Sequence, residues 1–298
     1  MKTEDKSKRG KTNSKMRVRL ASHYGMCFGV RDALRKTHDA AATRRVTVLG
    51  QLVHNPVVDE QLDRLGVTRG ALGERTDEGE GAVVITAHGV SDRELGRWES
   101  SGREVFNTTC PLVRKAHTAL ASLVAQGYLP VVIGRPGHVE VEGLVGDFPG
   151  AAVVESFRDV LKLPSQARFG VVSQTTQPIE RVRELVEQFR RCRPESEVKF
   201  VDTVCQPTKD RQEALRELCA DCEMVVVVGG SNSNNTGELV AKAEQLGARA
   251  VRVERAGDLR WRWFRGVASV GVTAGTSTLD ETVRAVFERV QRFAAGRR

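Results

Sequence analysis

Three short apolar runs rich in β-branched residues recur along the chain, and each of them ends in glycine. They occupy residues 46–50, 130–134 and 225–229. A short apolar run bounded by turn residues is typical of a buried strand. A second run of this kind follows each of them and ends in a polar turn. These later runs lie at residues 82–91, 169–177 and 268–278.

A cysteine precedes each glycine-terminated run at nearly the same distance. Gly50 lies 23 residues after Cys27, and the two later glycines lie 24 residues after Cys110 and Cys205. Each cysteine ends a strand-like run, and apolar side chains then follow at helical spacings of three and four. These stripes are Val30, Ala33, Leu34 and Ala41; Val113, Ala116, Leu120 and Leu123; and Leu215, Leu218, Cys219 and Cys222. Such matches predict a threefold internal repeat.

The repeat predicts an α/β fold, because strands that alternate with helices form mainly parallel sheets. We place three similar units at residues 16–106, 107–200 and 201–298, arranged about a pseudo-threefold axis. Ligands of such sheets bind at the carboxyl ends of the strands. The cysteine and the polar loops of every unit fall at that end. The arrangement would therefore bring the three cysteines together at the centre of the molecule.

Composition and charge exclude several classes of function. Of the 298 residues 40% are hydrophobic and 28% are charged, which is ordinary for a soluble globular protein. Aromatic residues make up only 5%, which argues against a base-stacking nucleic-acid platform. Half of the net charge of +8 lies in residues 1–15, which we interpret as a disordered basic tail. No nucleic-acid partner is expected.

The same inventory predicts a cytoplasmic protein. No apolar run approaches the ~18 residues that a membrane span needs, and the basic tail lacks the apolar segment of a secretory signal. Six cysteines without such a signal indicate a reducing compartment, where they are free, metal-bound or catalytic.

The three cysteines that end strands are candidate metal ligands. Each lies just before a helix, whose N-terminal dipole favours a thiolate. They could be buried thiols, ligands of a zinc ion completed by a histidine, or a chance pattern. The sharper interpretation is an iron–sulfur cluster, in which three cysteines leave one iron open to substrate. Cys219 and Cys222 share a helix stripe and are expected to pack in a core, and Cys192 to have no role.

Polar side chains occupy the predicted turns between strands and helices. They are His54, His88, His138, Glu140, Thr175, Ser233, Asn235 and Ser277. Such residues can simply cap helices, but several helix N-termini aimed at one point also form an anion site. We therefore expect a bound phosphate or diphosphate. If the loop at His138 is extended, Glu140 lies on the same face as the histidine. Nucleotide-binding glycine motifs are lacking.

These residues occur in motifs that resemble one known family. Cys27 is followed by Gly29 and Val30, and further motifs occur in family order over residues 17–290. They are LVHNPVV (52–58), AHGVS (87–91), TCPLVRKAH (109–117), GHVEVEG (137–143), SQTT (173–176), RQEA (211–214), NSNN (232–235) and VTAGTS (272–277). Together they resemble the 4-hydroxy-3-methylbut-2-enyl diphosphate reductases, iron–sulfur enzymes of the methylerythritol phosphate route to isoprenoids.

The resemblance implies three α/β parts around one 4Fe-4S cluster bound by Cys27, Cys110 and Cys205. It implies that His138, Glu140 and Thr175 surround the allylic hydroxyl and its protons. The implied diphosphate-binding residues are His54, His88, Ser233, Asn235 and Ser277, and Thr208 matches a further pocket threonine.

The implied reaction is a reductive dehydroxylation to isopentenyl and dimethylallyl diphosphate, with two electrons from a ferredoxin or flavodoxin. The protein would be a monomer or homodimer. Two alternatives are a divergent paralogue that reduces another phosphorylated allylic alcohol, and a non-enzymatic binding module stabilised by zinc.

Overall fold

A computed structural model describes residues 15–73 and 81–297. The basic tail predicted over residues 1–15 therefore lies, apart from Lys15, outside the described residues. The strands are β1 (Arg17–Leu20), β2 (Val46–Leu49), β3 (Thr68–Gly70), β4 (Ala82–Ile85), β5 (Glu104–Asn107), β6 (Leu129–Ile133), β7 (Ala152–Val154), β8 (Arg168–Ser173), β9 (Glu197–Phe200), β10 (Met224–Val228), β11 (Arg249–Val253) and β12 (Ser269–Ala274).

Ten α-helices join these strands in the described part of the chain. They are α1 (Phe28–Ala41), α2 (Pro56–Arg64), α3 (Asp92–Glu99), α4 (Pro111–Ala125), α5 (Val139–Val145), α6 (Phe157–Leu161), α7 (Ile179–Cys192), α8 (Gln206–Asp221), α9 (Asn234–Gln245) and α10 (Asp280–Ala294). Short 3-10 helices follow β11 at Ala256–Asp258 and Trp261–Phe264. None of these helices is long and apolar enough to cross a bilayer.

The strands form three four-stranded sheets, in which all neighbouring strands of the described chain are parallel. Their orders are β3-β2-β4-β5, β7-β6-β8-β9 and β11-β10-β12-β1. The glycine-terminated runs are the second strands β2, β6 and β10, and the later runs are the third strands β4, β8 and β12. The predicted α/β fold with three similar parallel sheets is therefore confirmed.

The first strand differs from the prediction in its location. The proposed first unit spans residues 16–106, yet β1 pairs with β12 in the third sheet, with Arg17 opposite Ser269. It occupies the place that β5 and β9 occupy in the other two sheets. β1 thus completes the third sheet. Its hydrogen bonds to β12 connect an N-terminal and a C-terminal part of the described chain.

The central strands are buried because helices cover both faces of each sheet. All five residues of β10 and all six of β12 are buried. Continuous apolar runs are the expected sequence of parallel strands that are covered on both sides. The edge strands β3, β7 and β11 are more exposed, and the apolar pattern did not predict them. The buried centres of the sheets fix the carboxyl ends from which the site is built.

Candidate functional site

Cys27, Cys110 and Cys205 are the N-cap residues of the long helices α1, α4 and α8, and none of the three side chains makes a capping hydrogen bond. Each backbone N–H instead donates 3.0 Å to a carbonyl in the turn that follows the neighbouring strand. The acceptors are Thr276, Ala87 and Thr175, respectively. The repeat thus places three thiols in equivalent positions, with their sulfur atoms free to bind a ligand.

The segments bearing Cys27 and Cys110 approach each other closely. Gly29 lies in the first turn of α1, and a Cβ atom built on it would be 2.4 Å from the Cys110 sulfur. A side chain at this position would therefore displace the thiol. The segments that carry Cys27 and Cys110 therefore meet, although they belong to different predicted units.

Burial keeps two of these thiols protonated. It raises the pKa of Cys205 to about 11, although Thr208 lowers it by hydrogen bonding, and it also raises the pKa of Cys110. The expectation that the helix dipoles would favour thiolates is wrong for these two residues, because desolvation outweighs the dipole. A metal that binds here must displace the protons.

The spacing of the sulfurs distinguishes a cluster from a single ion. Zinc–sulfur bonds of ~2.3 Å in a tetrahedron would place thiolates ~3.8 Å apart. Among the described residues, the three cysteine sulfurs do not form a group in which all pairs lie within 4.8 Å. A single zinc ion bound by all three would therefore require the sulfurs to move closer together. Three convergent cysteines also form the expected donor set for such a cluster.

Eleven of the twelve residues that the sequence implicates line one cavity, and Thr208 is the exception. They are Cys27, Cys110, Cys205, His54, His88, His138, Glu140, Thr175, Ser233, Asn235 and Ser277. No lysine or arginine lines this cavity within the described residues. An anion in it would therefore be bound by neutral donors and by helix N-termini.

The three histidines meet at one wall of the cavity. The ring centroids of His54 and His88 are 4.6 Å apart, and the His138 ring lies 5.4 and 5.6 Å from them. Burial lowers the pKa of all three, to about 4 for His138. The rings are therefore neutral near pH 7, and each has a single N–H to donate.

The hydrogen bonds of His138 and His54 assign different tautomers. The Nδ1 atom of His138 accepts the backbone N–H of Glu140 at 3.1 Å, so its Nε2 atom bears the proton. The Nδ1 atom of His54 lies 3.0 Å from Gln51 Oε1, so that Nδ1 is the donor. Gln51 is oriented by Asn232, which donates to the same oxygen, and by Asp59, which accepts from its amide nitrogen.

These tautomers favour an anion over a metal ion at the histidines. Ligand atoms of the three rings lie within 4.8 Å of one another, which is close enough for one ion. A metal needs the lone pair of a ring nitrogen, but the Nε2 atom of His138 is protonated in this arrangement. An Nε2–H group is instead a hydrogen-bond donor for a phosphate oxygen.

The N-terminus of α9 supplies further donors. Ser233 is its N-cap and accepts the N–H of Thr236 at 3.3 Å. Asn235 lies in the first turn, and its buried Nδ2 atom has no hydrogen-bond partner within the described structure. An unpaired buried donor that lines a cavity is costly unless a ligand accepts its hydrogen bond. The hydroxyl of Ser277 donates a hydrogen bond to the His54 carbonyl at 3.4 Å.

Asn55 links the turn of His54 to the turn of Ser277, and it was not among the residues predicted from the sequence. Its Oδ1 atom caps α2 by accepting the N–H of Val57, and its Nδ2 atom donates 2.7 Å to the Ser277 carbonyl. It thereby holds the turn of His54 against the turn of Ser277. An asparagine directly before Pro56 is a signal for a helix start that could have identified it.

Glu140 is a buried carboxyl group at the cavity wall. One carboxyl oxygen accepts the Thr175 backbone N–H at 2.6 Å. Burial raises the pKa of Glu140 to about 7, although the Thr175 hydrogen bonds lower it. The loop is not extended here, because His138 caps α5 and Glu140 lies in the first turn of that helix. The two residues nevertheless share the cavity, since the cap hydrogen bond folds them together.

The remaining cysteines and histidines lie outside the cavity. Cys219 lies on α8 and packs against a buried apolar cluster, and Cys222 is buried at the C-terminal end of this helix, as the packing interpretation predicted. Cys192 is half-buried at the end of α7. His23 is exposed, and Thr208 lies behind Cys205, with its hydroxyl 3.1 Å from the sulfur.

Comparison with known sequences identifies close relatives. The family model described as LytB protein matches residues 18–291. A 4-hydroxy-3-methylbut-2-enyl diphosphate reductase of Geotalea uraniireducens (strain Rf4) is 37% identical over 281 residues, covering 93% of this chain and 98% of that protein. The reductase of the same name from Aquifex aeolicus (strain VF5) is 34% identical over 283 residues, with 93% and 96% covered.

Solved structures give the same result. The E-1-hydroxy-2-methyl-but-2-enyl-4-diphosphate reductase of Plasmodium falciparum superposes with a TM-score of 0.84 at 26% identity, covering 91% of this chain and 86% of that one. A second structure, described as (E)-4-hydroxy-3-methyl-but-2-enyl diphosphate reductase, the terminal enzyme of the non-mevalonate pathway, gives a TM-score of 0.67 at 33% identity. It covers 93% of this chain and 100% of that one.

The histidine tautomers predict that one ring takes up a proton when an anion binds. His138 can donate from Nε2 while neutral, whereas His54 must gain a proton to do so. A bound diphosphate raises the pKa of His54, so its affinity should increase as the pH falls from about 8 to 6. Calorimetric titration of inorganic diphosphate, in buffers of different ionisation enthalpy, should show uptake of about one proton that His54→Gln abolishes. His138→Gln is the control, and equal uptake by both variants would contradict the assignment.

The position of Asn55 predicts two separable effects of its removal. Asn55→Ala should lower the free energy of unfolding by about 1–2 kcal/mol, because it removes a helix cap and a buried hydrogen bond. It should also weaken the binding of inorganic diphosphate several-fold. Ser91→Ala is the matched control, since Ser91 caps α3 through Glu94 and does not line the cavity. Diphosphate affinity and urea unfolding would be measured for both variants. Equal diphosphate affinities of Asn55→Ala and Ser91→Ala would contradict a positioning role for Asn55.

Proposed function

Since the chain belongs to the LytB protein family, we propose that it is a 4-hydroxy-3-methylbut-2-enyl diphosphate reductase that forms isopentenyl and dimethylallyl diphosphate. The observation that supports this most strongly is the shared cavity. Three cysteines, three histidines and one protonatable carboxyl group line it together with serine, threonine and asparagine donors. The reaction adds two electrons and two protons and releases the allylic hydroxyl as water.

Cys27, Cys110 and Cys205 would hold a 4Fe-4S cluster at the base of the cavity. The equivalent N-cap positions of the three thiols support this assignment, and a single zinc ion would require the sulfurs to move closer together. When bound, such a cluster supplies single electrons, and its iron without a protein ligand polarises the substrate oxygen as a Lewis acid. The electrons would come from a one-electron donor of the ferredoxin or flavodoxin type.

The diphosphate group would bind to the donors at the helix N-termini. The cavity is lined by Ser233, Asn235, Ser277, His54 and His88. The unpaired Nδ2 atom of Asn235 leaves an N–H group for a phosphate oxygen, and His54 would provide another once it is protonated. Because no lysine or arginine of the described chain lines the cavity, hydrogen-bond geometry would provide most of the recognition.

Glu140 would donate the proton that allows the hydroxyl to leave as water. Its pKa of about 7 leaves a large protonated fraction at neutral pH. The Thr175 N–H orients one carboxyl oxygen, so the other can face the substrate. His138 is held by the Glu140 backbone and would position the same substrate oxygen through its Nε2–H group.

Iron content tests the assignment of the cysteines. Cys27→Ser, Cys110→Ser and Cys205→Ser should each lose most of the iron and sulfide of the anaerobically purified protein. Cys219→Ser and Cys222→Ser are the matched controls and should keep the iron, with a stability loss of about 1–2 kcal/mol from burying a hydroxyl group. Loss of iron from either control, with retention in the other three variants, would overturn the assignment.

Kinetics with the diphosphate substrate test the role of Glu140. Glu140→Gln should keep the cluster and bind substrate, yet turn over at least about 10²-fold more slowly, because an amide cannot donate the proton. Since the protonated carboxyl group is the active form, wild-type turnover should decrease above pH about 7, and the variant should lose this dependence. Glu142→Gln is the control on the same helix. Near-wild-type turnover of Glu140→Gln would exclude Glu140 from the mechanism.

A further inference from the structure

Arg211 is a buried arginine that joins two of the cysteine-bearing segments. It lies in the second turn of α8 and is only 6% exposed. One terminal nitrogen, Nη2, donates to the Gly25 carbonyl at 2.5 Å. The other, Nη1, donates to the Pro207 carbonyl at 2.8 Å. Gly25 precedes Cys27 by two residues and Pro207 follows Cys205 by two, so one guanidinium group contacts both segments.

Other contacts hold the loop before Cys27 in the same place. The N–H of Met26 donates to Asp280 at 3.3 Å, and Arg31 donates to the Met26 carbonyl at 3.1 Å. Gly25 adopts φ +72°, and a Cβ atom there would lie 2.3 Å from an Asp280 oxygen. The loop is therefore closely packed, and Arg211 contacts its backbone from the side of Cys205.

The charge of Arg211 has no carboxylate partner within 4.0 Å in the described structure, and its Nε atom has no hydrogen-bond partner. The two acidic groups that act on it are engaged elsewhere. Asp210 accepts from Gln206 at 2.7 Å, and Asp280 accepts from Arg31 at 3.2 Å. An unpaired buried charge is strongly unfavourable, so a compensating negative charge is expected nearby.

Cys27 and Cys205 can provide that charge once they bind a metal, because Arg211 contacts the backbone beside both of them. Burial lowers the pKa of Arg211, and among the groups that raise it Cys27 and Cys205 come before Asp210 and Asp280. Cysteines bind a metal as thiolates, so a bound metal places negative charge on both side chains. A cluster with three thiolate ligands is an anion, and each electron added to it increases its negative charge.

We propose that Arg211 is a positioning residue that fixes the Cys27 loop to α8 and provides the buried counter-charge of the cluster held by Cys27 and Cys205. The inference rests on the proposed function, because it requires that these cysteines bind a cluster. A buried cation favours the reduced, more negative form of the cluster. Arg211 therefore raises the reduction potential and makes the cluster easier to reduce.

The test compares reduction potentials of anaerobically purified variants by optical redox titration. Arg211→Met removes the charge at similar length and should shift the midpoint potential to a more negative value. Arg216→Met is the matched control, because Arg216 lies on the same helix but is more exposed and pairs with Glu180 and Glu213. Its potential should equal that of the wild type.

Arg211→Lys separates charge from hydrogen bonding. It keeps the charge but cannot reach both carbonyls with a planar fork, so its potential should stay near the wild-type value while a chelator removes its iron several-fold faster. If Arg211→Met does not fold, the lysine variant still tests the positioning role of Arg211 through its rate of iron loss to the chelator. Equal potentials in wild type and Arg211→Met, or a lysine variant shifted as far as the methionine variant, would overturn the proposal. A wild-type protein without iron would instead refute the proposed function.

Discussion

One hydrogen bond, repeated three times, determines the geometry of the site. In each sheet the strand that leads to a cysteine is parallel to the strand beside it, so both end at the same edge. The cysteine N–H then donates to the turn after that neighbouring strand, at Thr276, Ala87 or Thr175. Each bond fixes a thiol, the N-terminus of a long helix and a polar turn relative to one another. Without parallel strands these three features would not share one cavity.

Burial in this cavity then determines the protonation of its groups. The same desolvation keeps Cys110 and Cys205 as thiols, the histidines as neutral rings and Glu140 as a carboxyl group that titrates near neutral pH. A site of neutral donors binds an anion by directed hydrogen bonds. The site also holds a proton on Glu140, in a cavity that no lysine or arginine of the described chain lines. The buried guanidinium of Arg211 contacts the backbone beside Cys27 and Cys205 and does not line the cavity.

Much of this arrangement could be predicted from sequence because it follows from periodicity. The spacing from cysteine to glycine gave the three sheets, and the polar turns gave the cavity residues. Periodicity could not show that β1 joins the third sheet, since pairing between distant strands leaves no local signal. The exposed edge strands lack an apolar pattern, and the short helix after His138 depends on a cap hydrogen bond. Arg211 resembles a surface residue until the fold buries it.

A single-turnover experiment with the anaerobic, iron-loaded protein tests the proposed reductive dehydroxylation directly. A chemical one-electron reductant would be added stepwise to the protein with 4-hydroxy-3-methylbut-2-enyl diphosphate, and the products would be separated and quantified. If the protein is the proposed reductase, we expect isopentenyl and dimethylallyl diphosphate, with two electrons consumed for each molecule formed. An iron-loaded protein that binds this diphosphate but returns it unreduced after both electrons are supplied would contradict the central claim.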